Sequence, residues 1–235
     1  MRSPVQPGLP RVVVWLSKSA GDAGAEAARL CTAAAADLLG VPAGHLRLTR
    51  VPSGRPVLAS VPDAVQAGAA QEVSVSISHT RGLAAAAVST CGPVGVDIEP
   101  VRPLPAQRLA IRWFSSEEAA WLAGLPTKQA EESFLALWTQ KEAVAKALGT
   151  GLRGGALLHD PVARPGQLDG EPGVLRLTAL PGRPAISTAV TATRIAEPAA
   201  DTAARARRDQ DDSRWVLAVA CTGPAAAGAP VVVKV

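Results

Sequence analysis

The feature that most narrows the fold is a stretch from Lys128 to Leu148 whose apolar residues recur at helical spacing. At about 100° per residue, Phe134, Leu137, Trp138, Ala145 and Leu148 fall on a single stripe, and Gly149 and Gly151 follow as glycines past a helix C-terminus do. Lys141 sits in the middle of that stripe. A lysine there either packs its stem and sends its ammonium to water or has a bound polyanion as its partner. Glu142 lies at the stripe's edge and Lys146 one turn further on the same flank. As a plain surface pair they would add only about 0.3–0.5 kcal/mol.

The rest of the chain reads as strands and helices without a regular βαβ alternation. Arg11 to Leu16 reads as a strand, and Ala23 to Leu39 as an alanine-rich helix stopped by Gly40 and Pro42. Leu46 to Val51 is a strand, and Ser53 to Val57 a turn that Gly54 and Pro56 impose. Val73 to Ser78, Leu83 to Ser89 and Pro93 to Ile98 read as three strands of one antiparallel sheet. After the proline-rich crossing Pro100 to Pro105 come helices at Leu109 to Phe114 and Ser116 to Ala123, the second opened by a Ser115/Glu118 capping box. Strand-like runs follow at Val174 to Leu180, Ala185 to Ile195 and Trp215 to Ala220, with Glu197 to Ser213 as a hairpin loop. The expected class is α+β, in two halves, 1–102 and 103–235, each long enough for its own core.

Composition excludes several functions. The net charge of +4 over 235 residues favours anionic ligands, but no Lys/Arg block with interleaved aromatics marks a nucleic-acid surface. Arg205, Arg207 and Arg208 run straight into Asp209, Asp211 and Asp212, a solvated mixed-charge loop. Cys31, Cys91 and Cys221 are odd in number and lack a CxxC pair, so they suggest neither a disulfide framework nor zinc, and a reducing compartment fits. The apolar run Val12 to Leu16 is far below the ~18 residues of a spanning helix and lacks a signal-peptide layout. No membrane is expected and a cytoplasmic location is.

The remaining chemistry-bearing residues cluster in three short stretches. In Gly95-Val-Asp-Ile-Glu99 the strand period turns Asp97 and Glu99 to one face; alone this is an ordinary acidic strand face, although hard carboxylate oxygens suit Mg²⁺. His79 ends a strand at the Arg81-Gly82 turn, where it is either merely exposed or available to phosphate and protons. Arg55 lies in the Gly54-Arg55-Pro56 turn.

In this order and spacing, Gly54-Arg55-Pro56, Ile77-Ser78-His79-Thr80, Gly95-Val96-Asp97-Ile98-Glu99 and Trp138-x-x-Lys141-Glu142-Ala143-x-x-Lys146 resemble the motifs of the Sfp-type 4′-phosphopantetheinyl transferases. Trp113-Phe114-Ser115 with Glu118 resembles a further segment of that family. The resemblance implies a pseudo-twofold α+β fold, two halves each with a small sheet and a long helix, and coenzyme A in the cleft between them. It implies that Asp97, Glu99 and Glu142 hold Mg²⁺ and that Lys141 and Lys146 contact coenzyme A phosphates. Arg55, Ser78 and His79 would also bind the coenzyme, Arg55 and His79 near its 3′-phosphate. Glu142 and Lys146 are the expected catalytic groups, with Glu142 as the base, directly or through a metal-bound water.

The implied reaction moves phosphopantetheine from coenzyme A to a serine of an acyl or peptidyl carrier protein, releasing 3′,5′-ADP. The apolar positions Trp121, Leu122 and Leu125 are expected to dock the carrier, and a monomer would hold a whole site. The sequence departs from the family in its first half: Ala20 to Ala36 has Arg29 as its one basic residue, so Lys18, Arg29, Arg47 and Arg50 are the candidates to grip the 3′-phosphate. The rival readings are a metal-dependent phosphohydrolase and a catalytically silent protein that binds coenzyme A or an acidic partner.

Overall fold

The computed structural model describes residues 12–60, 73–151, 174–180, 183–194, 214–223 and 226–234. The mixed-charge loop with Arg205, Arg207 and Arg208 lies outside the described residues, as does Arg11. In chain order the elements are β1 (Val12–Lys18), α1 (Ala23–Leu39), a 3-10 turn (Ala43–His45), β2 (Leu46–Arg50), β3 (Pro56–Ser60), β4 (Ser74–Thr80), β5 (Leu83–Ser89) and β6 (Val94–Pro100). There follow α2 (Ala106–Trp113), α3 (Ser116–Ala123), α4 (Thr127–Leu148), β7 (Val174–Arg176), β8 (Thr178–Leu180), β9 (Arg183–Arg194), β10 (Arg214–Thr222) and β11 (Pro230–Lys234). The class is α+β, as the sequence leads one to expect. Among the described residues no helix is long and apolar enough to cross a membrane.

Local chemistry sets the helix ends. Asp22 caps α1 by accepting from the N–H groups of Gly24 and Ala25, and Gly40 closes it in the left-handed region at φ 68°. Ser115 and Glu118 form the complete capping box that opens α3. Gly149 ends α4 at φ 71°, one residue beyond the end of the apolar stripe.

The strands make two large sheets, ordered β4-β5-β1-β11-β7 and β6-β10-β9-β8, and a small β2-β3 ribbon. Alternation puts one face of each large sheet into a shared core, with Val12, Val14 and Leu83 from the first and Val96, Ile98 and Leu217 from the second. The outer face of the first sheet, Val75, Ala84, Ala86 and Val88, is covered by Ala27, Leu30 and Ala34 of α1. Ala218 and Ala220 on the outer face of the second lie under Phe134, Leu137 and Val144 of α4. Full burial of each such Val, Leu or Phe stabilises by about 1.5–3 kcal/mol, and the result is helix, sheet, sheet, helix.

Two expectations are corrected, and one strand is new. β4 and β5 pair antiparallel, Ser74 opposite Ser89 through Thr80 opposite Leu83, but β6 does not join them. It pairs with β10, Val94 opposite Cys221 through Pro100 opposite Trp215. Facing β6, β4 offers serine hydroxyls: Val94 N–H donates to Ser74 Oγ at 3.0 Å and Val96 N–H to Ser76 Oγ at 3.1 Å. The alternating serines of Ser74-Val-Ser-Ile-Ser78 thus seam two sheets where a backbone ladder was expected.

The run 174–180 is not one strand. It breaks at buried Leu177, whose N–H donates to Ala229 O at 3.1 Å, so that β7 joins β11 in the first sheet and β8 joins β9 in the second. Finally, β11 has no counterpart in the sequence reading. It runs parallel to β1, Val12 opposite Val231 through Trp15 opposite Lys234, and so brings the last strand between elements of opposite chain ends.

Candidate active site

The serine seam opens at one end into a cavity of about 470 Å³. Its walls come from β4, β6, the end of α4 and the turn between β2 and β3. β6 and α4 approach each other because residue 95 is glycine: a Cβ there would collide with the Ala143 carbonyl oxygen and lie 2.6 Å from Ala147 N. With that approach, Asp97 and Glu99 on the same face of β6 come up against Glu142 and Lys146 of α4, and all four line the cavity.

Asp97 is the organising residue. It is 6% exposed. Lys146 Nζ donates to Asp97 Oδ1 at 2.7 Å and to Val96 O at 3.0 Å, and Ser78 Oγ donates to the same Asp97 Oδ1 at 2.7 Å. Asp97 Oδ2 is buried with no hydrogen-bond partner among the described residues. Burial, with the charge of Asp97 and then that of Glu99, pushes the Glu142 carboxyl up to about 7 against the pull of Lys146. Burial and Asp97 also raise Glu99, opposed by Arg102 and Lys146.

Such crowding of carboxylates is what a divalent cation relieves. Among the described residues no three Asp, Glu, His or Cys side chains converge closely enough to cage an ion by themselves. Mg²⁺ does not require that, since it keeps several of its waters, through which a carboxylate can hold it as well as directly, and completes its shell with substrate phosphates. The donor set fits it: hard oxygens only, an orphaned Asp97 Oδ2, and two neighbours whose charge is disfavoured as they stand.

Around the carboxylates the cavity turns basic. Arg50, Arg55 and His79 line it. The turn that carries Arg55 is fixed by Gly54 at φ 87° and by Arg50 Nη1 donating to Gly54 O at 2.7 Å. Arg55 Nη2 donates to Ser74 Oγ at 3.3 Å. His79 is exposed, with its ring against the first turn of α1, where a Cβ on Gly24 would lie 3.4 Å from Nε2. Of the four first-half cations named from sequence, Arg50 lines the cavity, whereas Arg29 is engaged with Glu26 at 2.6 Å.

Lys141 is placed elsewhere, which corrects its expected contact with phosphate. It is fully buried, its Nζ 2.9 Å from Glu118 Oε1 and 5.3 Å from the centre of the Phe114 ring, and it does not line the cavity. The Glu118 contact is one of charge rather than an aligned hydrogen bond, while Glu118 Oε2 accepts from Ser115 N–H and Oγ at 3.1 Å each. A lysine amid an apolar stripe needs a buried counter-charge, and a capping-box glutamate in the preceding helix supplies it. Leu122 is likewise corrected: it is fully buried in the core under α4, with Trp121 and Leu125 packed against it, so it offers nothing to a docking partner.

The model of the 4′-phosphopantetheinyl transferase superfamily matches residues 93–217, a stretch that contains Asp97, Glu99, Glu142 and Lys146. The chain is similar to 4′-phosphopantetheinyl transferase HetI of Nostoc sp., 33% identical over 115 residues, which are 48% of this chain and 46% of that protein. It is similar to 4′-phosphopantetheinyl transferase psf-1 of Bacillus pumilus, 32% identical over 100 residues, 43% of this chain and 38% of that one. It is also 33% identical over 81 residues to 4′-phosphopantetheinyl transferase gsp of Aneurinibacillus migulanus, 34% of this chain and 33% of that one. The matched stretch thus spans less than half the length of these curated relatives. With more than half of its residues under the family model and its carboxylates gathered in one cavity, the chain belongs to the 4′-phosphopantetheinyl transferase superfamily.

Proposed function

We propose that the chain transfers the 4′-phosphopantetheine group of coenzyme A to a serine hydroxyl of an apo acyl or peptidyl carrier protein, with Mg²⁺, and releases 3′,5′-ADP. The observation that carries this reading is the convergence of Asp97, Glu99, Glu142 and Lys146 on one cavity, with Asp97 Oδ2 buried and unpartnered. Asp97, Glu99 and Glu142 are assigned as the metal-holding residues. Bound there, Mg²⁺ supplies charge neutralisation to the pyrophosphate of the coenzyme.

The chain's own residues do the rest. Lys146, held beside Asp97, brings a fixed positive charge towards the leaving 3′,5′-ADP. Arg50, Arg55 and His79 give the basic end of the cavity to the 3′-phosphate. Glu142 takes the proton as the serine oxygen forms its bond to phosphorus and the pyrophosphate bridge breaks. Lys141 has no part in substrate contact. A cytoplasmic monomer belongs to the same reading, consistent with three free cysteines and with all assigned residues lying on one chain.

The test is the intact mass of an apo carrier protein incubated with this protein, coenzyme A and Mg²⁺, beside a metal-free control. A metal-dependent gain of one phosphopantetheine group is the expected result. No gain on fatty-acid, polyketide and peptide-synthetase carriers, with coenzyme A still bound, would favour a silent binding protein; hydrolysis of the coenzyme without transfer would favour a phosphohydrolase.

A further inference from the structure

Two rungs of the serine seam, Ser74 and Ser76, accept hydrogen bonds from backbone N–H groups of β6. The third differs. Ser78 is 7% exposed, and its hydroxyl reaches past the backbone to Asp97 Oδ1 at 2.7 Å. Lys146 Nζ meets that same oxygen at 2.7 Å. Two donors on one oxygen leave Oδ2 buried with none, an arrangement that costs free energy in the metal-free protein because a buried charged acceptor has lost its water. It also fixes the rotation of the carboxylate.

We propose that Ser78 is a positioning residue for the metal: its hydroxyl, with Lys146, pins Asp97 so that Oδ2 alone faces the cation. This rests on the metal-dependent reading above, and it replaces the expectation that Ser78 binds the coenzyme. A serine hydroxyl has one proton to give. Here Asp97 takes it, so Ser78 would present only lone pairs to a phosphate, which repel it.

The experiment is a Mn²⁺ titration followed by the electron paramagnetic resonance signal of the free ion, with coenzyme A present, on wild type, Ser78→Ala, Ser78→Cys and Ser78→Thr. Calorimetric titration of coenzyme A in EDTA runs in parallel. Outer-sphere partners of metal ligands commonly govern affinity by about 10–100-fold. Ser78→Ala is therefore expected to weaken Mn²⁺ binding at least about tenfold and to leave metal-free coenzyme binding unchanged. Ser78→Cys, of the same shape but a poor donor, follows it, and stands in should the alanine variant fail to fold. Ser78→Thr, which keeps the hydroxyl, restores wild-type affinity.

Wild-type Mn²⁺ affinity in both Ser78→Ala and Ser78→Cys would overturn the positioning role while leaving the metal reading intact. Weakened coenzyme binding in EDTA would overturn it in favour of direct ligand contact. A wild-type protein that takes up no Mn²⁺ even with coenzyme A would bring down the metal reading, and Ser78 with it.

Discussion

Asp97 and Glu142 line the same cavity, yet their surroundings prepare them differently. Asp97 has two donors on one oxygen and none on the other, so its charge is half compensated and half waiting. Replacing it by asparagine keeps shape and removes the charge. Transfer by Asp97→Asn at saturating coenzyme A is expected to fall by about a hundredfold or more, with the circular-dichroism melting curve little moved, because no cavity is created; near-normal turnover would refute the metal assignment. Glu142, by contrast, is disfavoured as an anion in the metal-free protein and is pushed from 4.5 up to about 7. A group with a folded pKa above its unfolded value binds its proton more tightly when folded. Its stabilising effect is complete below about pH 4.5 and is lost as pH rises through 7. In EDTA the wild-type melting temperature should therefore fall between pH 5 and pH 8 more than that of Glu142→Gln, and identical slopes would show that the carboxyl is not perturbed.

At the scale of elements, β6 and α4 form the unit on which the site depends, and Gly95 is its contact point. Gly95→Ala drives a methyl group into the backbone of α4, where a neighbour cannot yield as a side-chain tip can. A loss of about 3 kcal/mol or more is expected in urea unfolding, together with loss of activity as Asp97 and Glu142 part; a loss under 1 kcal/mol would mean that the helix can move away freely. The α3–α4 junction is fixed by a buried pair. Lys141→Met leaves Glu118 charged and uncompensated, at about 3–5 kcal/mol. Adding Glu118→Gln removes the stranded charge, keeps a capping-box side chain and should recover most of that loss, with coenzyme affinity unaltered. A lysine that acted on substrate would lower that affinity in both variants. These elements differ in how openly the sequence displays them. α1, α3 and α4 are bounded by local signals, so Gly40, the Ser115/Glu118 box and Gly149 announce their ends. The acidic face of β6 is equally local, since it needs only a period of two. What no local pattern contains is the partner of β6, which lies some 120 residues further on in β10. The serines of β4 looked like the polar face of a strand in a ladder and were hydrogen-bonding groups of a seam. Lys141 was visible as an anomaly, but its resolution by Glu118 needed the packing of α3 on α4.

For the whole molecule, sheet membership cuts across the division of the sequence near residue 102. β6 precedes that point and belongs with β10, while β7 and β11 follow it and belong with β1, β4 and β5. A fragment of residues 1–102 would leave β1 without β11 and β6 without β10; the complementary fragment would expose the same edges from the other side. Each would also present to water half of the core that Val12, Val14 and Leu83 share with Val96, Ile98 and Leu217. The intact chain is accordingly expected to unfold in one calorimetric transition, with equal calorimetric and van't Hoff enthalpies, and the two fragments expressed apart to be unfolded or aggregated. Two separate transitions would show that the halves are independent. The exchange bears on the site as well. Asp97 and Glu99 arrive on a strand of the second sheet, Ser78 and His79 on a strand of the first, and the crossing strands hold the two walls of the cavity in one cooperative unit. Loosening β11, the strand furthest from the chemistry in sequence, should then reach the site through β1, β5 and β4. Val231→Asp, a charge in the shared core beside β1, is expected to abolish the cooperative transition and Mn²⁺ binding together. Mn²⁺ binding that survived the loss of that transition would show that the second sheet and α4 hold the carboxylates without the first.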